Sequence, residues 1–418
     1  MYLLYNYISL HSTNTFFMDK LNKINIKCRK ETLRDVLVHL VSEKTITIPQ
    51  IAKDLDISLP TATKIINKLQ EELYIISLGK LEKAEGRPPV MYTLNPQAGF
   101  FIGVNIKRDN INIGLSDFCG EILQEEIIDY PVRNTNDSLI KLCWHIKNFI
   151  QKTNINTTRL LGINLNISGR VNPFEGRSYS LFSFLEDSLR EVLEDKLGHP
   201  VSIENDTRAM LYGELYRRNM NKYNNVSYVN ISWGIGMAFV INGTIITGKS
   251  GFSGEFGHFQ IYNNEILCHC GKKGCLETEI SGAALYRRFI EEIKSGKSSI
   301  LSKFETITLN DIISAINNDE DPLCLDLIED IGRKLGKQLA NIINLLNPEL
   351  IIVGGELSKA NDYLLQPLKT SVKKYTLNLV NKDVNIIISD LKDKAGVIGA
   401  CLLARDNFLG ILTPLSVL

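Results

Sequence analysis

The chain has 418 residues, a formal net charge of zero, and 44% hydrophobic and 22% charged residues, which is the composition of a soluble globular protein. This length exceeds one ordinary hydrophobic core and predicts two or three domains. No apolar run reaches the roughly 18 residues that a membrane-spanning helix needs, so we predict a cytoplasmic protein without a membrane partner.

The segment 1–29 is apolar at its start, with MYLLYNYISL, but lacks the basic front end and the small-residue cleavage site of a signal peptide. We therefore predict a disordered arm outside the first domain, or a true start at Met18 in place of Met1.

Residues 30–95 contain three stretches with helical periodicity. Apolar residues recur every three or four positions from Leu33 to Leu40, and a second short helix follows with Pro49 near its start. A turn over residues 56–58 leads to a third helix capped by Ser58. Two short helices across such a turn predict a helix-turn-helix. The inward stripe of the third helix is predicted from Ala62, Ile65, Ile66, Leu69 and Leu73.

The outer face of the third helix carries hydroxyl, amide and ammonium groups, with no acid before Glu71. Such groups can contact base edges and phosphates in a DNA major groove. A weakly alternating segment with a turn near residues 83–86 predicts a β wing, whose Arg87 would enter the minor groove. The alternative is a helical module that binds another protein. The predicted DNA contacts are Thr61, Thr63, Lys64, Asn67, Lys68 and Arg87.

From residue 96 to residue 418 strands alternate with helices, which predicts an α/β body with two lobes. Asn242-Gly243 lies between two apolar runs and predicts a hairpin. Two glycine pairs, Gly234 with Gly236 and Gly354 with Gly355, follow predicted strands, where glycine-rich turns commonly approach phosphates. Simple tight turns explain both pairs nearly as well.

Three of the eight cysteines lie close to a histidine in the loop 258–275. One imidazole and three thiols suit tetrahedral zinc, whereas a disulfide would leave one thiol unpaired. Four protein ligands leave no position for an activated water, so we predict a structural metal; a loose thiol cluster is the alternative. The predicted ligands are His258, Cys268, Cys270 and Cys275.

Two acids, Glu255 and Glu277, flank this loop, and Glu277 is placed at the start of a predicted helix. Carboxylates accept hydrogen bonds from vicinal hydroxyls, so a rigidly held pair would suit a sugar. The second ring nitrogen of a zinc-bound histidine is free to donate to a hydroxyl as well. Charges at a helix terminus are the alternative interpretation.

The stretch from Gly248 to Ser281 closely resembles the signature of the ROK family of repressors, open reading frames and sugar kinases, with its Glu-x-Gly-His element and its Cys-x-Cys-Gly-x-x-Gly-Cys-Leu-Glu loop. Residues 204–206, the Gly-Ile-Gly hairpin and Val353-Gly354-Gly355 extend the resemblance over residues 99–418. The preceding winged helix is similar to that of the family's repressors.

This resemblance implies an actin-like, two-lobed sugar-kinase fold. In kinase members the aspartate matching Asp206 is the general base that activates a sugar hydroxyl toward ATP bound with Mg²⁺. From its position alone Asp206 is equally a helix cap. The sugar ligands that the resemblance implies are Asn205, Asp206, Glu255, His258 and Glu277.

This chain departs from the kinase pattern at two places. Residues 105–109, Asn-Ile-Lys-Arg-Asp, replace the Asp-x-Gly-Gly-Thr phosphate hairpin, and Ser183 stands where the family often has an asparagine that contacts sugar. Because phosphoryl transfer depends on positioning, we predict that the nucleotide site is vestigial. Sugar specificity is left open.

We therefore predict a sugar-responsive transcriptional regulator, acting as a repressor, that binds operator DNA as a homodimer or homotetramer. The alternative is an ATP-dependent, glucokinase-like sugar kinase with a fused DNA-binding domain. A sugar-binding scaffold whose helical head contacts a protein is a third possibility.

Overall fold

The computed structural model of the chain describes residues 30–80, 89–217, 223–318 and 320–411. The chain folds into two compact units, one made of residues 1–213 and 396–418 and the other of residues 214–395. The arm 1–29 and the tip of the predicted wing lie outside the described residues.

The first unit opens with a winged helix-turn-helix. Its three strands form an antiparallel sheet in the order β1-β3-β2. The elements are α1 (Lys30–Glu43), β1 (Ile46–Thr47), α2 (Ile48–Asp54), α3 (Leu59–Glu71), β2 (Ile75–Lys80) and β3 (Val90–Leu94).

The third helix, α3, forms largely as its sequence predicts. The Ser58 hydroxyl accepts the Thr61 amide at 3.3 Å, and Pro60 occupies the first turn. The predicted stripe is buried from Ala62 to Leu69. Its last member, Leu73, was wrongly included: the helix ends at Glu71, and Leu73 has a left-handed φ of 62° and is 52% exposed. The apolar periodicity therefore continues beyond the helix itself.

A five-stranded sheet follows in the same unit, in the order β10-β7-β4-β5-β6. Strands β10, β7 and β4 run parallel, whereas β4, β5 and β6 form antiparallel pairs. The elements are β4 (Phe100–Ile106), β5 (Ile111–Asp117), β6 (Ile122–Ile128), α4 (Asn136–Lys152), β7 (Leu160–Ile167), β8 (Val171–Asn172), β9 (Arg177–Ser178), α5 (Leu189–Leu197), β10 (Val201–Asn205) and α6 (Asp206–Arg217).

The second unit contains another five-stranded sheet, in the order β13-β12-β11-β14-β15, in which β11, β14 and β15 are parallel. A buried apolar core unites this sheet with the long α10. The elements are β11 (Val226–Ile231), β12 (Ile235–Ile241), β13 (Thr244–Ile245), α7 (Glu277–Ile280), α8 (Gly282–Lys294), α9 (Leu309–Asn318), α10 (Pro322–Leu346), β14 (Leu350–Gly354), α11 (Asp362–Tyr375), α12 (Asn378–Asp383) and β15 (Asn385–Ile388).

Two local predictions in this unit need correction, and a third is confirmed. The turn between β11 and β12 comprises residues 232–234, and Gly236 already pairs with Asn230 inside the β-ladder. The helix predicted to run on from Glu277 breaks at Ser281, whose hydroxyl caps α8. Asn242 and Gly243 form the predicted hairpin turn, with φ values of 50° and 73°.

The chain returns to the first unit through α13 (Ala395–Leu409), which is largely buried. At Gly399 this helix touches α6 backbone to backbone, because a Cβ there would lie 1.9 Å from the Ala209 carbonyl oxygen. Within the described ranges, none of the helices combines the length and apolar character that a bilayer crossing requires.

Candidate functional site

In the first unit, polar side chains gather at the carboxyl ends of the parallel strands β7 and β10. The Asp206 carboxylate accepts the Ser168 hydroxyl at 2.8 Å and the Thr207 amide at 2.7 Å. Asn205 donates to the Gly169 carbonyl at 2.9 Å and accepts the Thr207 amide at 3.0 Å. This end of a parallel sheet is where α/β folds commonly bind ligands.

The neighbouring Glu204 stabilises this arrangement by accepting hydrogen bonds from Arg208 and Asn205. Its carboxylate accepts Nε of the buried Arg208 at 2.8 Å and the Asn205 amide at 2.6 Å. Burial raises the pKa of the Asp206 carboxyl above its ordinary value, although hydrogen bonds from Ser168 and Thr207 act in the opposite direction. Asp206 is therefore both the first residue of α6 and a carboxylate with an increased tendency to accept a proton.

In the second unit, the four predicted metal ligands lie together. Their ligand atoms are all within 4.8 Å of one another: His258, Cys268, Cys270 and Cys275. The Cys268 Sγ is 3.6 Å from His258 Nδ1, and the Cys270 and Cys275 sulfurs are 3.6 Å apart. Tetrahedral zinc with bonds of about 2.3 Å would space its sulfur ligands about 3.8 Å apart. The residues present therefore fit a closed tetrahedral site.

His258 connects the metal-ligand cluster with the predicted sugar ligands. Its Nδ1 faces Cys268, while Nε2 on the other side of the ring lies 3.5 Å from the Glu255 carboxylate. A short 3-10 helix, Phe256–His258, places the two residues on one turn. Gly254 precedes it at φ 91°, where a Cβ would lie 1.8 Å from the Met237 carbonyl oxygen. Only glycine lets this segment approach β12 so closely.

Glu277 is held at both carboxylate oxygens. Oε2 accepts the Ile235 amide at 3.0 Å, and Oε1 lies 2.7 Å from Nδ1 of His269. Burial alone would raise the pKa of this carboxyl, but the hydrogen bonds from His269 and Ile235 bring it below the usual value. Glu277 is therefore a fixed, ionised acceptor that lies beside the metal-ligand cluster.

Two residues that contact predicted site residues, Ser168 beside Asp206 and His269 beside Glu277, were missed from the sequence. Ser168 follows β7 directly, and a hydroxyl at the end of a buried parallel strand is a signal that would have found it. His269 stands between two predicted ligands and is not itself one of the four. Its role depends on a contact with Glu277 that no spacing rule predicts.

The two glycine pairs lie at the same end of the second sheet, because Asn230, near the carboxyl end of β11, pairs with Gly236 of β12 on one side and with Gly354 of β14 on the other. Close packing explains why glycine occupies two of these positions. A Cβ at Gly354 would lie 1.9 Å from the Tyr228 hydroxyl, and one at Gly355 would lie 2.5 Å from the Asn230 side chain. These glycines are required by the sheet itself, whether or not a nucleotide binds.

At the hairpin between β4 and β5, Asn105 is buried to 1% exposure and Lys107 donates its amide to the Asn110 carbonyl. Arg108 and Asp109 are exposed, and Nε of Arg108 lies 3.6 Å from a carboxylate oxygen of Asp109. Bulky, charged side chains thus occupy the turn where two glycines would let backbone amides approach a phosphate.

The predicted DNA contacts differ in exposure. Thr63, Lys64 and Asn67 project from α3 into solvent, while Thr61 is half-buried. Lys68 is also half-buried, and its ammonium lies 2.8 Å from Glu72 and 3.6 Å from Glu71. Arg87 lies outside the described residues.

The fold defines the class of protein: a winged helix-turn-helix domain is followed by an α/β body of two strand-and-helix units. The model of the ROK family matches residues 101–407, and the chain belongs to that family. The fold expected from the resemblance, actin-like and two-lobed, is confirmed by solved relatives. A ROK family transcriptional regulator, described as a homologue of the Escherichia coli MLC protein, superposes with a TM-score of 0.76 at 28% identity, covering 92% of this chain and all of that one.

A ROK family glucokinase from Streptomyces griseus has the same body, with a TM-score of 0.65 at 24% identity over 74% of this chain and all of that one. Among curated relatives, the xylose repressor of Caldicellulosiruptor bescii is 27% identical over 90% of this chain and 95% of its own length. The DNA-binding transcriptional dual regulator NagC of Escherichia coli is 28% identical over 87% of this chain and 89% of its own length.

Proposed function

We propose that this protein is a sugar-responsive transcriptional regulator, acting as a repressor, whose winged helix binds operator DNA and whose body binds a neutral sugar. One observation carries the proposal: a helix-turn-helix with exposed Thr63, Lys64 and Asn67 is joined, in one chain, to a ROK body with preorganised carboxylates. The relatives that resemble the chain over most of its length have names of sugar repressors.

Sugar recognition would use fixed hydrogen-bond acceptors and one imidazole donor. Asp206 and Glu277 each already accept hydrogen bonds that orient them, so little conformational entropy is lost on binding. Nε2 of His258 points toward Glu255 and can donate to a hydroxyl that lies beside that carboxylate. The proposed sugar ligands are Asn205, Asp206, Glu255, His258 and Glu277.

We also propose that zinc binds at His258, Cys268, Cys270 and Cys275. When bound, the metal would supply structural cross-linking rather than a reactive water, because the four ligands complete its tetrahedron. The chain's own contribution is to hold Glu255 and Glu277 at the two ends of the loop. Metal binding would thereby fix the positions of these two carboxylates, which we propose contact the sugar.

DNA recognition would use symmetric pairs of winged helix-turn-helix domains. A homodimer or homotetramer presents two winged helices to two half-sites of a palindromic operator. A sugar changes DNA affinity only if it binds one arrangement of the protein more tightly than the other. Sugar and operator are then coupled reciprocally.

The test measures binding of the purified protein to DNA from its own upstream region, by fluorescence anisotropy, without and with xylose, glucose or N-acetylglucosamine. We expect DNA binding in the nanomolar range and a change of at least fivefold with one sugar. The matched variant Lys64→Ala should weaken DNA binding while leaving sugar binding unchanged. DNA binding that no sugar changes would contradict the responsive function.

A second function, ATP-dependent sugar phosphorylation, is favoured by Asp206, whose raised pKa suits a general base. The charged hairpin at Lys107 and Arg108 argues against it. Incubation with MgATP and the same sugars separates the two functions. Sugar-dependent ADP release at ordinary enzymatic rates would establish a kinase, and we expect none above background.

A further inference from the structure

His269 lies where the metal-ligand cluster meets the acid Glu277. Its side chain is 67% exposed, yet Nδ1 is 2.7 Å from Glu277 Oε1, whose own side chain is only 11% exposed. The His269 ring also packs edge-on against the ring of His258, with centroids 5.0 Å apart. A largely exposed side chain is thus held by two contacts to residues that we propose bind sugar.

We propose that His269 is a positioning residue for the sugar: its Nδ1–H donates to Glu277 Oε1 and fixes this carboxylate, which in turn accepts a sugar hydroxyl. The inference deepens the proposed sugar-binding function and rests on it. Glu277 already receives the Ile235 amide on its other oxygen. With donors on both oxygens, the plane of the carboxylate is fixed, which is what recognition of neighbouring hydroxyls requires.

Electrostatics explain why a donor is needed at this point. The Cys268 sulfur lies 3.7 Å from Glu277 Oε1. A cysteine that ligates a metal is a thiolate, so two anionic atoms would face each other at this separation. His269 Nδ1 lies 2.7 Å from the carboxylate oxygen and 3.9 Å from the sulfur, and its N–H offsets their repulsion. Without it, Glu277 would keep only the Ile235 amide as a donor, and the plane of its carboxylate would no longer be fixed.

The competing role for His269 is that of a metal ligand. Ligand atoms of Cys268, His269 and Glu277 also lie within 4.8 Å of one another. The first cluster, however, is complete with four soft ligands, whereas this group shares its cysteine with that cluster. Metal content therefore distinguishes a positioning residue from a ligand.

The experiment compares full-length, metal-loaded protein with His269→Ala, His269→Gln and the loop control Lys272→Ala. Zinc per chain is measured by elemental analysis, melting temperature without sugar by calorimetry, and affinity for xylose, glucose and N-acetylglucosamine by titration calorimetry. Lys272 is an exposed residue of the same loop. We expect His269→Ala to lose about tenfold in sugar affinity, since a hydrogen bond to a charged group is lost. His269→Gln, which keeps an N–H donor, should recover most of it.

All variants should retain the zinc content of the unsubstituted protein. Loss of zinc in His269→Gln would show that His269 is a metal ligand, and this would overturn the inference. The inference would also be overturned if His269→Gln and His269→Ala lost sugar affinity equally, or if His269→Ala kept full sugar affinity. The unsubstituted protein separates this inference from the proposed function. If that protein binds no sugar, the function itself fails and the inference fails with it; if it binds sugar and His269→Ala binds equally well, only the inference fails.

Discussion

Arg34, on the first helix of the winged domain, donates from Nε to the Leu409 carbonyl oxygen at 2.6 Å and from its terminal nitrogen to the Gly410 carbonyl. These carbonyls lie at the carboxyl end of α13. That end is closed by two further bonds, from Ile411 to Asp406 and from Gly410, at φ 65°, to Asn407. A guanidinium at the negative end of a helix is favourable, so Arg34 ties the winged domain to α13.

We expect Arg34→Ala to loosen this attachment, because the helix end loses both its cation and two donors. The cost should be about 1 kcal/mol locally. Hydrogen exchange should increase in α1 and in the last turn of α13, while the strands of the first sheet keep their protection. The exposed Lys53, on α2, provides the control Lys53→Ala. Unchanged exchange in α1 would contradict the assigned role.

The same helix α13 also contacts α6, which begins at Asp206. Gly399 meets the Ala209 backbone, and the Tyr212 hydroxyl donates to the buried Asp406. A helix that touches both α6 and α1 can transmit a change at Asp206 to the winged domain. We therefore expect Arg34→Ala to reduce the sugar-dependent change in DNA affinity, measured in the anisotropy assay, while sugar affinity is retained.

Two lysines of α3 should differ in their contribution to DNA binding. Lys64 is exposed, whereas Lys68 is engaged by Glu72 at 2.8 Å. A phosphate contact by Lys68 would first have to break this pair. Lys64→Ala should reduce the slope of log affinity against log salt by about one, and Lys68→Ala should reduce it less. Gln70→Ala, at the end of the helix, is the control. An equal effect of the two lysines would contradict this difference.

Local patterns predicted the elements well, and tertiary contacts account for what they missed. The buried positions of α3 and the hairpin at Asn242 depend on periodicity and turn chemistry, both visible in the sequence. Leu73 continues an apolar period past a chain reversal with positive φ, which hydrophobicity does not reveal. The break at Ser281 depends on a cap that looks, in sequence, like an ordinary helical serine.

The residues of the candidate site also fall into two groups: those that local sequence predicts and those that only tertiary contacts bring into place. The four proposed metal ligands follow from residue type and spacing alone, and the structure brings them together. His269 and Ser168 acquire their roles from contacts with Glu277 and Asp206, which are set by packing. Gly354, predicted as a phosphate turn, is required to be glycine by the hydroxyl of Tyr228 on the neighbouring strand. Sequence-distant contacts of this kind cannot be inferred from one segment.

Removal of one proposed zinc ligand should destabilise the second unit. We expect one zinc per chain in the unsubstituted protein and little or none in Cys270→Ser, by elemental analysis. The melting temperature should fall by roughly 5–10 °C, because a structural metal contributes directly to folding free energy. Sugar affinity should fall in parallel. The buried Cys143, in the first unit, gives the control Cys143→Ser, which should keep its zinc. Full zinc content in Cys270→Ser would contradict the ligand assignment.

Asp206→Asn should weaken function and strengthen the fold at neutral pH. The pKa of Asp206 is raised in the folded protein, chiefly by burial. A group of this kind contributes stability that is fully present below its unfolded pKa and is lost as the pH rises through the folded value. Asparagine keeps one oxygen for the Thr207 amide and can donate its NH2 group to the Ser168 hydroxyl oxygen, but it carries no charge to desolvate, so the variant avoids this loss. Its melting temperature should exceed that of the unsubstituted protein at pH 7, and the difference should vanish as the pH falls below about 4.

Sugar affinity should fall about tenfold at pH 7 because a charged acceptor is lost. A lower melting temperature for Asp206→Asn at pH 7 would mean that the hydrogen bonds of this carboxylate outweigh its burial.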